Sequence, residues 1–297
     1  MPKGARRLSD FRQSKGQGIR AVNDLAKAKP FLKWVGGKRQ LLPEIRAVMP
    51  QSFQRYFEPF MGGAALFFDT QPTQAHLSDI NDELVNCYLC VRDMPEALIE
   101  ALGQHHYDKD YYYHIRNLDR DKEAFAALSP IIRAARLMFL NRAGFNGMYR
   151  VNSKGAFNVP FGRYTNPTIV NEPLIMAASR ALALTQISCA SYLHVEEVAQ
   201  AGDFVYFDPP YMPLSPTAHF TRYAKDDFAY EDQVRLAKTC QILHDKGVRF
   251  VASNAYHEDI KGLYQGFEIK EIKARRAINA RADGRKPVSE ALIFNRV

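Results

Sequence analysis

Nowhere do the 297 residues approach the ~20 consecutive apolar side chains that a membrane span requires. The N-terminus carries charge throughout and lacks the apolar core of a secretory signal, so a cytoplasmic protein is expected. Cysteine is scarce, with four residues. Cys87 and Cys90 form one Cys-x-x-Cys pair with no second half, while Cys189 and Cys240 stand apart. In a helical stretch an i, i+3 pair shares a face, which favours core packing over a zinc or redox centre. The eight histidines show no ligand spacing, so no metal is expected. Acids are missing from residues 124–171, a gap that becomes informative below.

The composition is that of an ordinary globular protein, with 46% hydrophobic and 24% charged residues. Such a length suits one sizeable α/β domain plus an inserted module. The formal charge of +8 is concentrated in residues 1–29, where eight basic side chains face Asp10 and Asp24. That leaves +2 for the remainder, so bulk charge says little, and these residues read as a mobile basic arm.

From Pro30 onward the pattern is regular. Residues 31–35 are apolar and end at Gly36-Gly37, followed by helical spacing over 38–49. Strand-like 55–58 leads through Gly62-Gly63 to a compact apolar helix, strand-like 75–78 ends at Asp79, and 81–102 reads as one long amphipathic helix. Residues 107–182 break the rhythm with helical stretches at 109–118 and 130–140 and a Gly-, Asn- and Pro-rich remainder. Strands at 203–207, 248–253, 268–272 and 288–294 and helices at 231–245 and 258–264 restore it. The alternation predicts a doubly wound, mostly parallel α/β sheet, with residues 30–106 and 183–297 forming its domain and 107–182 a mainly helical insert.

Phe207-Asp208-Pro209-Pro210-Tyr211 directly follows the apolar strand. Two prolines fix φ, so a carboxylate, proline carbonyls and an aromatic ring project in a set geometry at a strand's carboxyl end. This suits an exocyclic aromatic amine, whose lone pair is delocalised until acceptors hold its hydrogens. Asp208 and the Pro209 carbonyl can do so, and Tyr211 offers a stacking face to a base taken out of its helix. Asp79 stands where an acid takes ribose hydroxyls in doubly wound folds, or else caps the helix that follows. Trp34 is the chain's one tryptophan and reads as a loop residue with a function or as a core aromatic.

Six ordered blocks carry a resemblance: residues 31–38, 58–62, 77–81, 141–147, 157–164 and 208–211. Over about residues 30–297 the chain resembles the DNA amino-methyltransferases, specifically the Dam-type methylases that modify the adenine of GATC. The resemblance implies a Rossmann-like methyltransferase sheet with an inserted target-recognition module. It implies S-adenosyl-L-methionine as cofactor, bound by Trp34, Lys38, Phe60, Gly62, Asp79 and Asp208, with Asp208, Pro209 and Tyr211 catalytic. One departure is Ala64, which stands where the family commonly has glycine.

The acid-free segment 124–171 contains Arg133, Arg136, Arg142, Arg150, Lys154 and Arg163, interleaved with aromatic residues and asparagines. Phosphate contacts, wedging faces and amides for base edges are thereby available. The family resemblance places Phe145 and Asn146 where the adenine leaves the duplex and Arg150 on a guanine edge. It gives backbone contacts to Lys33, Arg142, Asn152, Asn158, Arg163 and Tyr164, with Met148 and Pro160 beside them. Phe145 and Met148 depart from the family's usual residues but keep apolar bulk. Double-stranded DNA is thus the expected partner of a nucleoid-associated monomer, and replication and mismatch repair, a restriction system and a phage all stay open as its setting. A second basic patch spans 270–286. A cytosine-C5 methylase is excluded because it needs a thiolate, typically after proline, and no cysteine here follows proline. An N4-cytosine methylase and a non-catalytic DNA-binding protein on the same fold remain as alternatives.

Overall fold

The computed structural model describes residues 27–211, 228–274 and 288–296. Residues 1–26 of the basic arm and 275–286 of the second basic patch lie outside the described residues. Seven strands form one sheet: β1 (Tyr56–Glu58), β2 (Ala75–Asp79), β3 (Gln186–Cys189), β4 (Phe204–Phe207), β5 (Arg249–Ala255), β6 (Glu268–Ala274) and β7 (Val288–Phe294). Their order among the described residues is β3-β2-β1-β4-β5-β7-β6, and β7 alone runs in the opposite direction to the other six. This is the doubly wound, mostly parallel sheet that the sequence predicts.

The helices in chain order are α1 (Leu42–Val48), α2 (Ala65–Thr70), α3 (Asp82–Asp93), α4 (Pro95–Gly103), α5 (Lys109–Asn117), α6 (Lys122–Ala126), α7 (Pro130–Ala143), α8 (Glu172–Leu182), α9 (Val195–Val198), α10 (Tyr230–Asp245) and α11 (Glu258–Leu263). Alternate strand residues feed two apolar layers. Tyr56, Phe204 and Tyr206 join the layer beneath α3, α4, α7 and α8. Phe57, Val205 and Phe207 join the layer beneath α10 and α11. Every residue of β4 is buried, as expected of a central parallel strand covered on both faces. Among the described residues no helix is long and apolar enough to cross a membrane. Cys87, Cys90 and Cys240 are buried free thiols, in line with core packing.

Three elements differ from the sequence reading. The single helix expected over 81–102 is two, broken at Met94 (φ −140°, ψ 47°) before Pro95. Proline cannot donate to the preceding turn and pushes its predecessor out of helical geometry. Strand β3 passed unnoticed because this edge strand is mostly exposed, and Ile187 is the one large apolar residue in it. Helix α8 lies in the stretch read as irregular; it packs beside α3 and α4 and leads into β3.

Candidate active site

Parallel neighbours β2, β1 and β4 end at one edge of the sheet, which gathers Glu58, Asp79 and Asp208. At the end of β4, Asp208 keeps 19% side-chain exposure and meets Lys38, whose Nζ lies 2.8 Å from Oδ1. Lys38 is buried, donates to the Gly36 carbonyl at 2.8 Å, and stands 4.5 Å from the Tyr211 ring centroid. Burial pushes the Asp208 carboxyl above its ordinary range and Glu290 adds to this, while the Lys38 cation opposes it. The result is a poorly solvated carboxylate paired with one buried ammonium.

The glycine turn after β1 is tied to the end of β2. Asp79 accepts from the backbone N–H of Gly62 at 3.1 Å and of Asn81 at 3.0 Å, one on each oxygen. The helix cap is Asn81, whose side chain accepts from the Leu84 N–H at 3.1 Å, so Asp79 is not the cap. Gly62 has φ +44°, and a Cβ there would lie 2.8 Å from Trp34 Cδ1. Glycine is therefore required both by backbone and by space. Ala64 adopts φ 47°, ψ 46°, a left-handed conformation that costs a non-glycine residue roughly 1–2 kcal/mol. Trp34 is half-buried, not a core residue, and stacks on Tyr149 with centroids 5.3 Å apart and planes at 23°. Phe60 packs against Tyr192 at 5.1 Å and against Phe207 and Phe228.

Asn141, buried at the end of α7, ties the 31–38 loop to the turn that follows α7. It accepts from Lys33 N–H at 2.9 Å and donates to the carbonyls of Lys33 at 2.7 Å and Gly147 at 2.8 Å. Beyond it the chain turns through Phe145, which is 45% exposed, and Asn146 at φ 55°. The turn is pinned by the Phe145 N–H to the Pro160 carbonyl at 2.9 Å and by Tyr164 O–H to Gly144 O at 3.1 Å. Lys33 lies over the Tyr164 ring, 4.8 Å from its centroid. Met148 is half-buried beside the turn. Arg150 donates to Asn158 Oδ1 at 2.7 Å, and Asn152 Oδ1 accepts from the N–H groups of Lys154 and Ala156. Arg163 is exposed. Backbone pairing thus sets the Phe145-Asn146 turn beside Pro160 and Phe161, with Lys33 and Tyr164 against it, while Arg150 and Asn158 face each other in the hairpin that follows.

Not every cation of the acid-free segment belongs to that surface, which corrects the charge reading. Arg136 is 4% exposed and bonds to the Ile115 carbonyl at 2.9 Å, the Arg116 carbonyl at 2.7 Å and Asp119 at 3.0 Å. Arg133 pairs with Glu83 and Asp82 on α3. Their acidic partners lie outside 124–171, so a count within the segment missed them. Arg142 is half-buried and donates to the Phe31 carbonyl at 2.7 Å, so part of its fork is engaged within the protein.

Sequence reasoning missed four residues beside the motif. Glu58 is buried and accepts from Tyr56 O–H at 2.7 Å. Glu290 accepts from Tyr211 O–H at 2.7 Å. Gln233 donates to the Pro210 carbonyl at 3.2 Å, and Asn254 donates to Gln233 at 2.8 Å. Glu58 opens the 58–62 block without a role of its own, and Asn254 is a lone amide within a strand; Gln233 and Glu290 carry no such signal.

The model of the D12 class N6 adenine-specific DNA methyltransferases matches residues 34–278. A Type II methyltransferase of Lactococcus lactis subsp. cremoris is 46% identical over 271 residues, 90% of this chain and 95% of the relative. A Type II methyltransferase of Methanocaldococcus jannaschii is 40% identical over 288 residues, covering 90% and 99%. The DNA adenine methylase of Escherichia coli strain K12 is 34% identical over 272 residues, covering 90% and 95%. On the family match over residues 34–278 and relatives 34–46% identical across 90% of its length, the chain belongs to the D12 class of N6 adenine-specific DNA methyltransferases.

Proposed function

We propose that this enzyme transfers a methyl group from S-adenosyl-L-methionine to N6 of an adenine flipped out of double-stranded DNA, within GATC, with no covalent enzyme intermediate. The observation that carries the reading is the corner after β4, where a buried carboxylate, proline carbonyls and the Tyr211 ring converge beside Lys38. Asp208 and the Pro209 carbonyl accept the two hydrogens of the amine and localise its lone pair, and Tyr211 stacks on the purine. Proximity and fixed acceptors supply the catalysis.

The residues present fit the cofactor. Each Asp79 oxygen accepts one backbone N–H and keeps a lone pair for a ribose hydroxyl. Glycine at 62 brings backbone close, Trp34 walls the turn, and Lys38 offers an ammonium for a carboxylate. When bound, the cofactor supplies an electrophilic methyl on a sulfonium. Residues 107–182 act as the recognition module, with Phe145 and Asn146 entering the duplex and Arg150 reading guanine. GATC rests on the resemblance of blocks 141–147 and 157–164 to Dam-type methylases.

Sequencing of modified bases in a methylation-deficient host expressing the enzyme is expected to show N6-methyladenine in GATC. Another context would remove the GATC assignment, and N4-methylcytosine would remove adenine. Asp208→Ala is expected to lower kcat by at least about 100-fold, and undiminished transfer would sink the mechanism.

A further inference from the structure

The turn after β4 cannot be held by the sheet. Pro209 and Pro210 have no backbone N–H, and pairing of β4 with β5 ends at Phe207 and Ala252. A chain of buried amides reaches it instead. Gln233 on α10 is completely buried and donates from Nε2 to the Pro210 carbonyl at 3.2 Å. Its Oε1 accepts from Nδ2 of Asn254 on β5, also completely buried, at 2.8 Å.

The direction of this chain is fixed by the backbone. Asn254 Oδ1 accepts the Ala255 N–H at 2.9 Å, so Nδ2 must face Gln233. Gln233 must then turn Oε1 toward Asn254 and Nε2 toward Pro210. On the far side of the motif the Tyr211 hydroxyl donates to Glu290. Pro210 lies in an exposed turn, yet its carbonyl faces the wholly buried Gln233 and Asn254. Committing two desolvated amides to it therefore points to orientation of the peptide rather than to satisfaction of a stray acceptor.

We propose that Gln233, aligned by Asn254, is a positioning residue for methyl transfer, setting the peptides of residues 209–211 so that the Pro209 carbonyl and the Tyr211 ring meet the target amine. The proposal rests on the adenine-N6 reading above. Gln233→Leu removes both bonds while filling the space. Gln233→Glu tests direction: ionised, it offers only acceptors to the Pro210 carbonyl; protonated, one oxygen accepts from Asn254 and the other donates. Burial keeps such a carboxyl protonated well above the ordinary carboxylate range.

The experiment measures kcat, KM for undermethylated genomic DNA and affinity for S-adenosyl-L-methionine across pH, with melting temperature. Gln233→Leu is expected to lose about 100-fold in kcat at every pH, the scale of an ångström's misplacement, with KM and cofactor affinity within about threefold. Gln233→Glu is expected to show that loss at alkaline pH and to recover toward the unaltered enzyme as pH falls. The proposal is overturned if Gln233→Leu keeps its kcat, if the Gln233→Glu profile parallels the unaltered one, or if the loss follows cofactor affinity and melting temperature. An unaltered enzyme that methylates no adenine would remove the adenine reading and this proposal together. Normal variants beside an active unaltered enzyme remove the proposal alone.

Discussion

Both hydrogen bonds to Glu58 converge on a single oxygen, Oε2, from Tyr56 O–H at 2.7 Å and Phe67 N–H at 3.3 Å. Burial pushes this carboxyl up to about 8, the Asp208 charge adds to the rise, and the two donors oppose it. The folded protein thus holds a proton that the unfolded chain releases near the ordinary glutamate value. Stability is consequently lost as pH rises from about 4.5 to about 8. Glu58→Gln keeps an acceptor oxygen for both donors and removes the titration. It is expected to melt close to the unaltered protein at about pH 5 and several degrees higher above about pH 8. Thermal melts across that range check this, and a difference that does not vary with pH would assign the titration elsewhere. The same neighbourhood shows what was legible at residue scale. Asp208, Lys38, Asp79 and Trp34 stand in compact motifs, whereas Gln233, Asn254 and Glu290 arrive from three separated elements, and their contacts exist only after folding.

Helix α7 shows why charge in a segment does not map simply onto function. Its N-terminal half is anchored by Arg133 to α3, and its buried Arg136 holds the end of α5 and Asp119. Asp119 in turn accepts the Phe157 N–H at 2.7 Å, so the pair fixes the loop that follows the exposed tip. Removing Arg136 leaves the buried Asp119 with the more distant and more exposed Arg120 at 3.5 Å, so most of a buried pair is lost. Arg136→Met is therefore expected to destabilise the fold by about 3–5 kcal/mol, read from denaturant unfolding. Normal stability with weakened DNA binding would return Arg136 to the interface. Periodicity made the main strands and α10 readable, since their apolar spacing is local. The break at Pro95 was readable too, from proline chemistry, but amphipathic spacing on both sides concealed it. Edge strand β3 has almost no apolar face to announce it.

Across the whole molecule, net charge and interface charge part company. Much of the +8 sits in the first 29 residues, and within 124–171 two of six cations are committed to internal pairs. Lys154 and Arg163, by contrast, are exposed and pair with no carboxylate among the described residues; Lys154 sits in the turn of the hairpin that carries Arg150, and Arg163 follows the segment paired with Gly144 and Phe145. Cations left unpaired beside an exposed aromatic tip are what a polyanion's backbone requires, because each phosphate neutralised releases condensed counterions. Lys154→Gln together with Arg163→Gln should leave melting temperature unchanged, as neither side chain is buried. The slope of log affinity for duplex DNA against log salt should become shallower by about 0.9 for each phosphate that the variant no longer neutralises. Affinity should fall by a similar factor on unrelated sequences, as expected of contacts that position the duplex rather than read it. An unchanged slope would move phosphate binding off this face, and a weakening confined to one sequence would make the two side chains readers of bases.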